Sequence, residues 1–137
     1  MNKLSLTQNQ TARQFIKFAV VGTVGTAEDW LIYLSLTRLI DWFGAHYLWA
    51  KAISFVVAAT SNYIFNRIWT FRSAEQRIAR QFGQFFAVSV VGAAINLSVM
   101  YLMVSRLGFF DVYGLIVATA AALFWNFFAN KYWTFKE

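Results

Sequence analysis

Two adjacent acidic residues, Glu28 and Asp29, interrupt the first long apolar stretch of the chain. A carboxylate at such a depth in a membrane-spanning helix is costly and rarely faces lipid, so it indicates a functional site. Neighbouring helical residues point about 100° apart, so the two acids cannot share one narrow face. Either one is protonated or both line a polar cavity. Asp29 is the stronger candidate, because its counterpart later in the chain, Asn96, is also polar.

The alternative role for Asp29 is structural. Lys51 lies near the outer end of the next apolar stretch and could form a salt bridge with this carboxylate. A lysine can extend its ammonium group outward to water, so we expect this pairing to be loose. In that case the acid would hold two helices together rather than contact a ligand.

Four amides form two pairs, Asn62 with Asn66 and Asn126 with Asn130. The four-residue spacing places each pair on one helix face. They could line a polar track toward the cytoplasmic interface. Alternatively, they hydrogen-bond to neighbouring helices, which contributes roughly 0.6–2 kcal/mol each.

The amide pairs are followed directly by two basic residues, Arg67 and Lys131. Both are expected where a lipid phosphate would lie, and Arg can bind phosphate oxygens bidentately while Lys offers a point charge. The alternative is plain anchoring at the cytoplasmic interface. The remaining basic residues at these ends fit topology charges that attract anionic lipid; they include Arg13, Lys17, Arg72 and Arg80.

The composition is that of a membrane protein. Of 137 residues, 59% are apolar and 13% are charged, against roughly 25% charged in soluble proteins. A chain this small cannot bury so much apolar surface, so the excess must face lipid or other chains. The net charge of +6 lies at segment ends, which favours membrane orientation over nucleic-acid binding.

Several kinds of site are excluded by residue type. There is no cysteine and one histidine, His46, so thiolate and histidine metal clusters cannot form. No phosphate-binding glycine loop is present, so we expect that any transport is not driven by ATP bound to this chain. We therefore expect no catalytic residue, no metal and no cofactor, and the chain is predicted not to be an enzyme.

Four stretches are long enough to cross the roughly 30 Å core of a bilayer as helices: about 15–37, 47–65, 82–104 and 112–129. Of the 12 Lys and Arg residues, nine lie at the N-terminus, in the central loop or at the C-terminus. The other three are Arg38, Lys51 and Arg106. By the positive-inside rule, both termini and the central loop are cytoplasmic, and the short loops around 41–46 and 108–111 face outward.

The chain contains an internal repeat. Arg13-Gln14-Phe15 recurs as Arg80-Gln81-Phe82, and the segment 62–72 recurs as 126–136. We predict a single domain, 1–137, with repeat units at about 13–72 and 80–136. Two spans per unit give both units the same orientation, a parallel repeat of the kind that often binds a ligand at the repeat interface. Alternatively, the duplication only doubles the packing surface.

These motifs resemble the GtrA-like family: a Phe-x-x-Val-Gly start with an acid in the first span, then Asn-x-x-x-Asn-Arg-x-Trp-Thr-Phe ending the second. The resemblance covers about 14–135. It implies a role in cell-surface polysaccharide synthesis, in which members are proposed to move polyprenyl-phosphate-linked sugars, such as undecaprenyl-phosphate glucose, across the bacterial inner membrane. A membrane glycosyltransferase makes the lipid-linked sugar, and some members are instead suspected of anchoring it. The chain departs from an exact repeat at Asn96 and Lys131.

From the residues and the resemblance together, we predict an all-α multi-pass protein that moves a polyprenyl-phosphate sugar passively or with ion coupling. The basic residues at the cytoplasmic interface receive the phosphate. The amides and acids within the helices shelter the head group, and the tail stays in lipid. Four helices form a thin wall, so we expect a homodimer or a complex with a transferase. An accessory subunit that moves nothing is the main alternative, and a small exporter of cations is a weaker one. The predicted substrate contacts are Glu28, Asp29, Asn62, Asn66, Arg67, Asn96, Asn126, Asn130 and Lys131.

Overall fold

The computed structural model describes residues 2–136, and every regular element in that range is helical. The all-α prediction is therefore confirmed for this part of the chain. The α-helices are α1 Lys3–Leu39, α2 Asp41–Ala45, α3 Tyr47–Phe65, α4 Ile78–Tyr101 and α5 Asp111–Ala129. Three π-helical segments continue α3, α4 and α5, namely π1 Asn66–Thr70, π2 Leu102–Arg106 and π3 Asn130–Thr134.

The chain divides after Ser73 into two compact units, each a pair of packed helices. In the first unit α1 packs against α3, with α2 in the turn between them and π1 at the end. In the second unit α4 packs against α5, with π2 after α4 and π3 at the end. We call these units the first and second hairpins, and each buries its facing helical stripes by itself.

The helices match the predicted spans closely at α3 and α5 and extend beyond them elsewhere. α1 begins at Lys3, so the polar N-terminal stretch continues the helix far beyond the predicted start near residue 15. The predicted loop around 41–46 is wrong in one respect, because residues 41–45 form α2. Ile40 has an extended backbone that ends α1, and Asp41 then places a carboxylate at a new helix start, where the helix dipole favours it.

Three helices are long and apolar enough to cross a membrane among the residues described: Tyr47–Thr70, Ile78–Arg106 and Asp111–Thr134. Their large apolar side chains point outward, and Leu48 and Leu97, for example, are 69% and 71% exposed. This supports a membrane protein, since lipid is the medium that such surfaces need. α1 is long enough but does not reach the same apolarity, because Glu28 and Asp29 interrupt it. The four-span count, the repeat and the orientation stay predictions.

Each hairpin is closed at one end by a pair of aromatic rings. Phe18 and Phe71 meet edge to face with their ring centroids 6.2 Å apart in the first hairpin. Phe85 and Phe135 meet in the same way at 6.1 Å in the second. All four rings are at least nine-tenths buried. Edge-to-face pairs of this kind are favourable beyond the area that they bury.

A glycine lies opposite an asparagine further along each hairpin. A Cβ atom built on Gly25 would lie within 3.0 Å of the Asn62 side chain, and one built on Gly92 would lie equally close to Asn126. Real Cβ atoms essentially never come so near another atom. The two helices of each hairpin can therefore approach this closely only because one of them carries glycine here.

The end of the asparagine motif forms a π-helical segment in each hairpin. The Phe71 amide donates to the Asn66 carbonyl at 2.8 Å, and the Phe135 amide donates to the Asn130 carbonyl at the same distance. The first residue of each segment is an asparagine whose side chain competes for a helix carbonyl. Asn66 Nδ2 donates to the Asn62 carbonyl at 2.9 Å, which favours the wider turn that follows.

We expect Gly25→Ala to destabilise the protein by about 1–3 kcal/mol, because the added methyl group overpacks the contact with Asn62. Gly22→Ala is the matched control, since a Cβ there meets nothing within 4 Å. That control should leave stability unchanged or raised by up to about 1 kcal/mol through better helix propensity. The free energy of unfolding from titration with SDS measures both, and equal values would contradict the close-approach interpretation.

Candidate functional site

The first hairpin holds an ion pair between its two long helices. Lys51 Nζ on α3 donates to Asp29 Oδ2 on α1. The salt bridge that was the structural alternative for Asp29 therefore forms, and it is a direct hydrogen-bonded contact rather than the loose pairing expected. The Asp29 side chain is 15% exposed and that of Lys51 is 49% exposed. The acid is thus held inside the helix pair while the ammonium group reaches its edge.

Asp29 uses only half of its carboxylate in this contact. Its Oδ1 atom is buried and has no hydrogen-bond partner among the described residues. A carboxylate oxygen without a partner is costly away from water, because the group loses its hydration. Asp29 therefore has both a structural role and a free acceptor.

The partner of Glu28 also lies on α3, but it is a different residue from the partner of Asp29. Ser61 Oγ donates to Glu28 Oε1 at 2.9 Å. The expectation that the two acids point in different directions agrees with this, because Asp29 contacts Lys51 and Glu28 contacts Ser61. Ser61 is not among the predicted site residues. Its hydroxyl follows Ala58 and Ala59 and precedes Asn62, so a polar residue at the end of a small-residue stretch was the signal available.

The paired amides lie inside their hairpins. Asn66 is 2% exposed and Asn130 is fully buried. Each donates its Nδ2 to the carbonyl of the asparagine four residues earlier, at 2.9 Å and 2.7 Å respectively. Within the described residues, the Oδ1 atoms of Asn66, Asn126 and Asn130 have no hydrogen-bond partner. Asn66 and Asn130 are therefore structural donors, and they and Asn126 keep acceptor atoms unused.

The basic residues that follow the amides are partly exposed. Arg67 lies in π1 and Lys131 in π3, each directly after a buried asparagine. Lys131 Nζ lies 5.9 Å from the centroid of the Tyr132 ring, within range of a cation–π contact. Phosphate contact by Arg67 or Lys131 stays a prediction.

The first hairpin gathers Glu28, Asp29 and Asn62 where α1 faces α3, and Asn66 and Arg67 follow further along α3 and π1. The second hairpin keeps Asn126, Asn130 and Lys131 in the corresponding order. Asn96 is half-buried on α4. No lysine corresponds to Lys51 in the second hairpin, where 64 residues later the chain carries Leu115.

Three contacts near the aromatic ends were not foreseen. Lys17 Nζ lies 3.5 Å from the Trp69 carbonyl and 5.1 Å from the Trp69 ring centroid. Gln81 Nε2 donates to the Thr134 carbonyl at 3.3 Å, and Gln81 is 2% exposed. The sequence signal available for the contact of Gln81 was the recurrence of glutamine at positions 14 and 81.

These helices and their internal polar contacts define a small helical membrane protein. A protein family described as GtrA/DPMS, transmembrane domain, matches residues 17–135. The chain belongs to this family, which confirms the predicted GtrA-like resemblance. It is also 24% identical over 121 residues to "Uncharacterized membrane protein YngA" of Bacillus subtilis (strain 168). That alignment covers 88% of this chain and 78% of the relative.

We expect Lys51→Met to destabilise the protein by about 1–3 kcal/mol, because it leaves a mostly buried carboxylate without its partner. The exposure of Lys51 keeps the effect below that of a fully buried pair. The double variant Asp29→Asn/Lys51→Met should recover most of this loss, and Lys51→Arg should retain the pair. Unfolding by SDS provides the measurement. A double variant no more stable than Lys51→Met would contradict a structural ion pair.

Proposed function

We propose that the chain crosses the bacterial inner membrane four times as two parallel helix-pair repeats, with both termini in the cytoplasm. The observation that supports a fourth span is the pairing of both acids of α1, because partnered acids are cheaper to insert than bare ones. α1 has 37 residues, well above the roughly 20 that a span needs. The recurrence of the ring pair, the glycine contact and the π segment supports the repeat.

The four-span proposal is testable because the chain has no cysteine to remove. Single cysteines at Gln8, Ala45 and Ala74 report the N-terminus, the first turn and the central loop. In spheroplasts, a membrane-impermeant maleimide should label only Ala45→Cys, and the other two should react after permeabilisation. Labelling of both Gln8→Cys and Ala45→Cys from outside would mean that α1 does not cross the bilayer. Outside labelling of Ala74→Cys would reverse the orientation.

We propose that the protein translocates a polyprenyl-phosphate-linked sugar, such as undecaprenyl-phosphate glucose, for cell-surface polysaccharide glycosylation. It would act as a carrier and not as an enzyme. Membership of the GtrA/DPMS family supports this class of substrate. The structural observation that carries it is the set of buried acceptor atoms without partners in otherwise apolar helices, Asp29 Oδ1 among them. Such acceptors can take hydrogen bonds from sugar hydroxyls, which lipid cannot supply.

The proposed path divides the head group by chemistry. Arg67 and Lys131 contact the phosphate at the cytoplasmic interface through charge-assisted hydrogen bonds. The amides of Asn62, Asn66, Asn126 and Asn130, with Glu28, Asp29 and Asn96 further out, take the sugar hydroxyls in turn. The lipid tail stays in the membrane lipid throughout. Because Asn66 and Asn130 are buried, their hairpins must loosen locally, and each of them begins a π-helical segment, a rare element that is frequent at functional sites.

We also propose that the protein works as a homodimer or together with a membrane glycosyltransferase. A second candidate function is an accessory subunit that anchors or stabilises the transferase and moves nothing. The family description favours this alternative in one respect, because it names a transmembrane domain and not a transporter. In that case the unused polar acceptors would be partner contacts within the membrane.

Reconstitution in liposomes separates the two candidates. The protein should accelerate flipping of a labelled polyprenyl-phosphate sugar, and Arg67→Ala should slow it by about tenfold or more. That is the expected loss of one charged hydrogen bond of roughly 1.5–3 kcal/mol. Asp29→Asn should slow flipping as well. Arg13→Gln, which removes a cation outside the proposed path, should stay within about twofold.

The result that would overturn translocation is equally clear. If the unaltered protein does not accelerate flipping but still binds the glycosyltransferase in the same membranes, the anchor is the correct function. If Arg13→Gln slows flipping as much as Arg67→Ala, the effect is general surface charge and not a contact of Arg67 with the phosphate.

A further inference from the structure

The second hairpin contains a polar cavity that the proposed path does not use. It has a volume of about 250 Å³ and lies where α4 begins and π3 ends. Its walls come from residues just before and within the first turns of α4 and from the end of the chain. The side chains that matter for binding are Arg77, Arg80, Gln81, Gln84, Thr134 and Lys136.

The cavity is positively charged. Among the described residues that line it, Arg77, Arg80 and Lys136 provide three cations, and Glu75 provides one carboxylate. The Arg77 backbone amide donates to Glu75 Oε1 at 2.8 Å, which is the main reason that the pKa of Glu75 lies below its usual value. Glu75 is therefore ionised at neutral pH and is tied to the backbone. The lining keeps an excess of positive charge, which selects an anion.

The floor of the cavity is built from buried polar groups. Gln81 is 2% exposed and is held by its bond to the Thr134 carbonyl. Thr134 is 4% exposed, and its hydroxyl has no hydrogen-bond partner among the described residues. A fixed amide and an unused hydroxyl beside three cations are typical of a built site and not of a patch of solvated charges.

The corresponding place in the first hairpin is arranged differently. There the ammonium group of Lys17, from the same hairpin, reaches the Trp69 carbonyl and ring. The residue 67 positions later is Gln84, which has no charge and lines the cavity. The second hairpin therefore lacks the lysine with which the first hairpin satisfies its own π-helical end.

We propose that this cavity is a binding site for a phosphate ester of a lipid head group. Arg77 and Arg80 contact the phosphate oxygens through charge-assisted hydrogen bonds, and Lys136 adds a third charge. Gln84 and Thr134 donate neutral hydrogen bonds to the same head group. The start of α4 adds the favourable end of a helix dipole. All the described residues that line it belong to the second hairpin. In the proposed function, this site would be where the lipid-linked sugar first binds on the cytoplasmic side. That role rests on the proposed function, but the affinity of the site for phosphate does not.

Binding is measured on the full chain in neutral detergent by native mass spectrometry with farnesyl phosphate as the probe. Farnesol, which has the same tail and no phosphate, is the first comparison. We expect farnesyl phosphate to bind, farnesol to bind at least about tenfold more weakly, and inorganic phosphate to displace the probe. The loss of a charged hydrogen bond corresponds to that tenfold change or more. Equal binding of farnesol would overturn the proposal, because recognition would then lie in the tail.

Paired charge removals locate the site. Arg77→Gln/Arg80→Gln should weaken binding of farnesyl phosphate by about tenfold or more. The matched control Arg13→Gln/Arg72→Asn also removes two cations, but from the first hairpin, and should stay within about twofold. Asparagine suits position 72, where φ is 50°. Equal weakening by both pairs would overturn the proposal, because a delocalised charge effect would then explain the binding.

Two further arms keep the result interpretable. Arg77→Lys/Arg80→Lys should retain part of the affinity, and Lys136→Met should reduce it at the exposed chain end even if the double variant fails to fold. Flipping is measured on the same preparations. Binding without any flipping by the unaltered protein would overturn translocation and leave this site intact. Flipping with no measurable binding of farnesyl phosphate would overturn this site and leave translocation intact.

Discussion

Lipid offers no hydrogen bonds, so a polar group that enters the membrane must find its partner within the chain. In the proposed four-span arrangement, the contacts of α1 with α3 follow from this constraint. Asp29 needs Lys51 and Glu28 needs Ser61, and both partners come from the neighbouring helix. A helix that carries two acids can therefore serve as a membrane helix only as part of a hairpin. The acids tie α1 to α3 more specifically than apolar packing would.

The second hairpin has neither the acid nor the lysine of this ion pair at the corresponding positions. Asn96 stands where Asp29 stands in the first, and no lysine faces it. What the two hairpins share is the close approach of a glycine to an asparagine, the edge-to-face ring pair and the π-helical end. These shared contacts form the frame. The groups that differ between the hairpins, the acids at one end and Gln84 at the other, are the ones that can give each hairpin its own task.

The helical fold could be predicted from the sequence because the length of an apolar segment reflects constraints that act on a helix by itself. The bounds of α3 and α5 follow directly from hydropathy. The partner of Glu28 could not be predicted, because Ser61 is 33 residues away and its side chain meets the acid only once the helices have crossed at a particular rotation. The cavity beside Gln81 escaped prediction for a related reason. It combines a loop, a helix start and the chain end, and the burial of Gln81 has no signature in its own neighbourhood.

The π-helical segments change the phase of the helices that they extend. A bond from Phe71 to a carbonyl five residues back, instead of four, takes one extra residue into the turn. Every side chain beyond that point is rotated by about 100° relative to a regular helix. Beyond that bond, the consecutive residues Thr70 and Phe71 are both buried. The spacing within the Asn-to-Phe motif is consequently as constrained as its composition. A chain one residue shorter would still be long enough to cross a membrane, yet it would turn its ring away from Phe18.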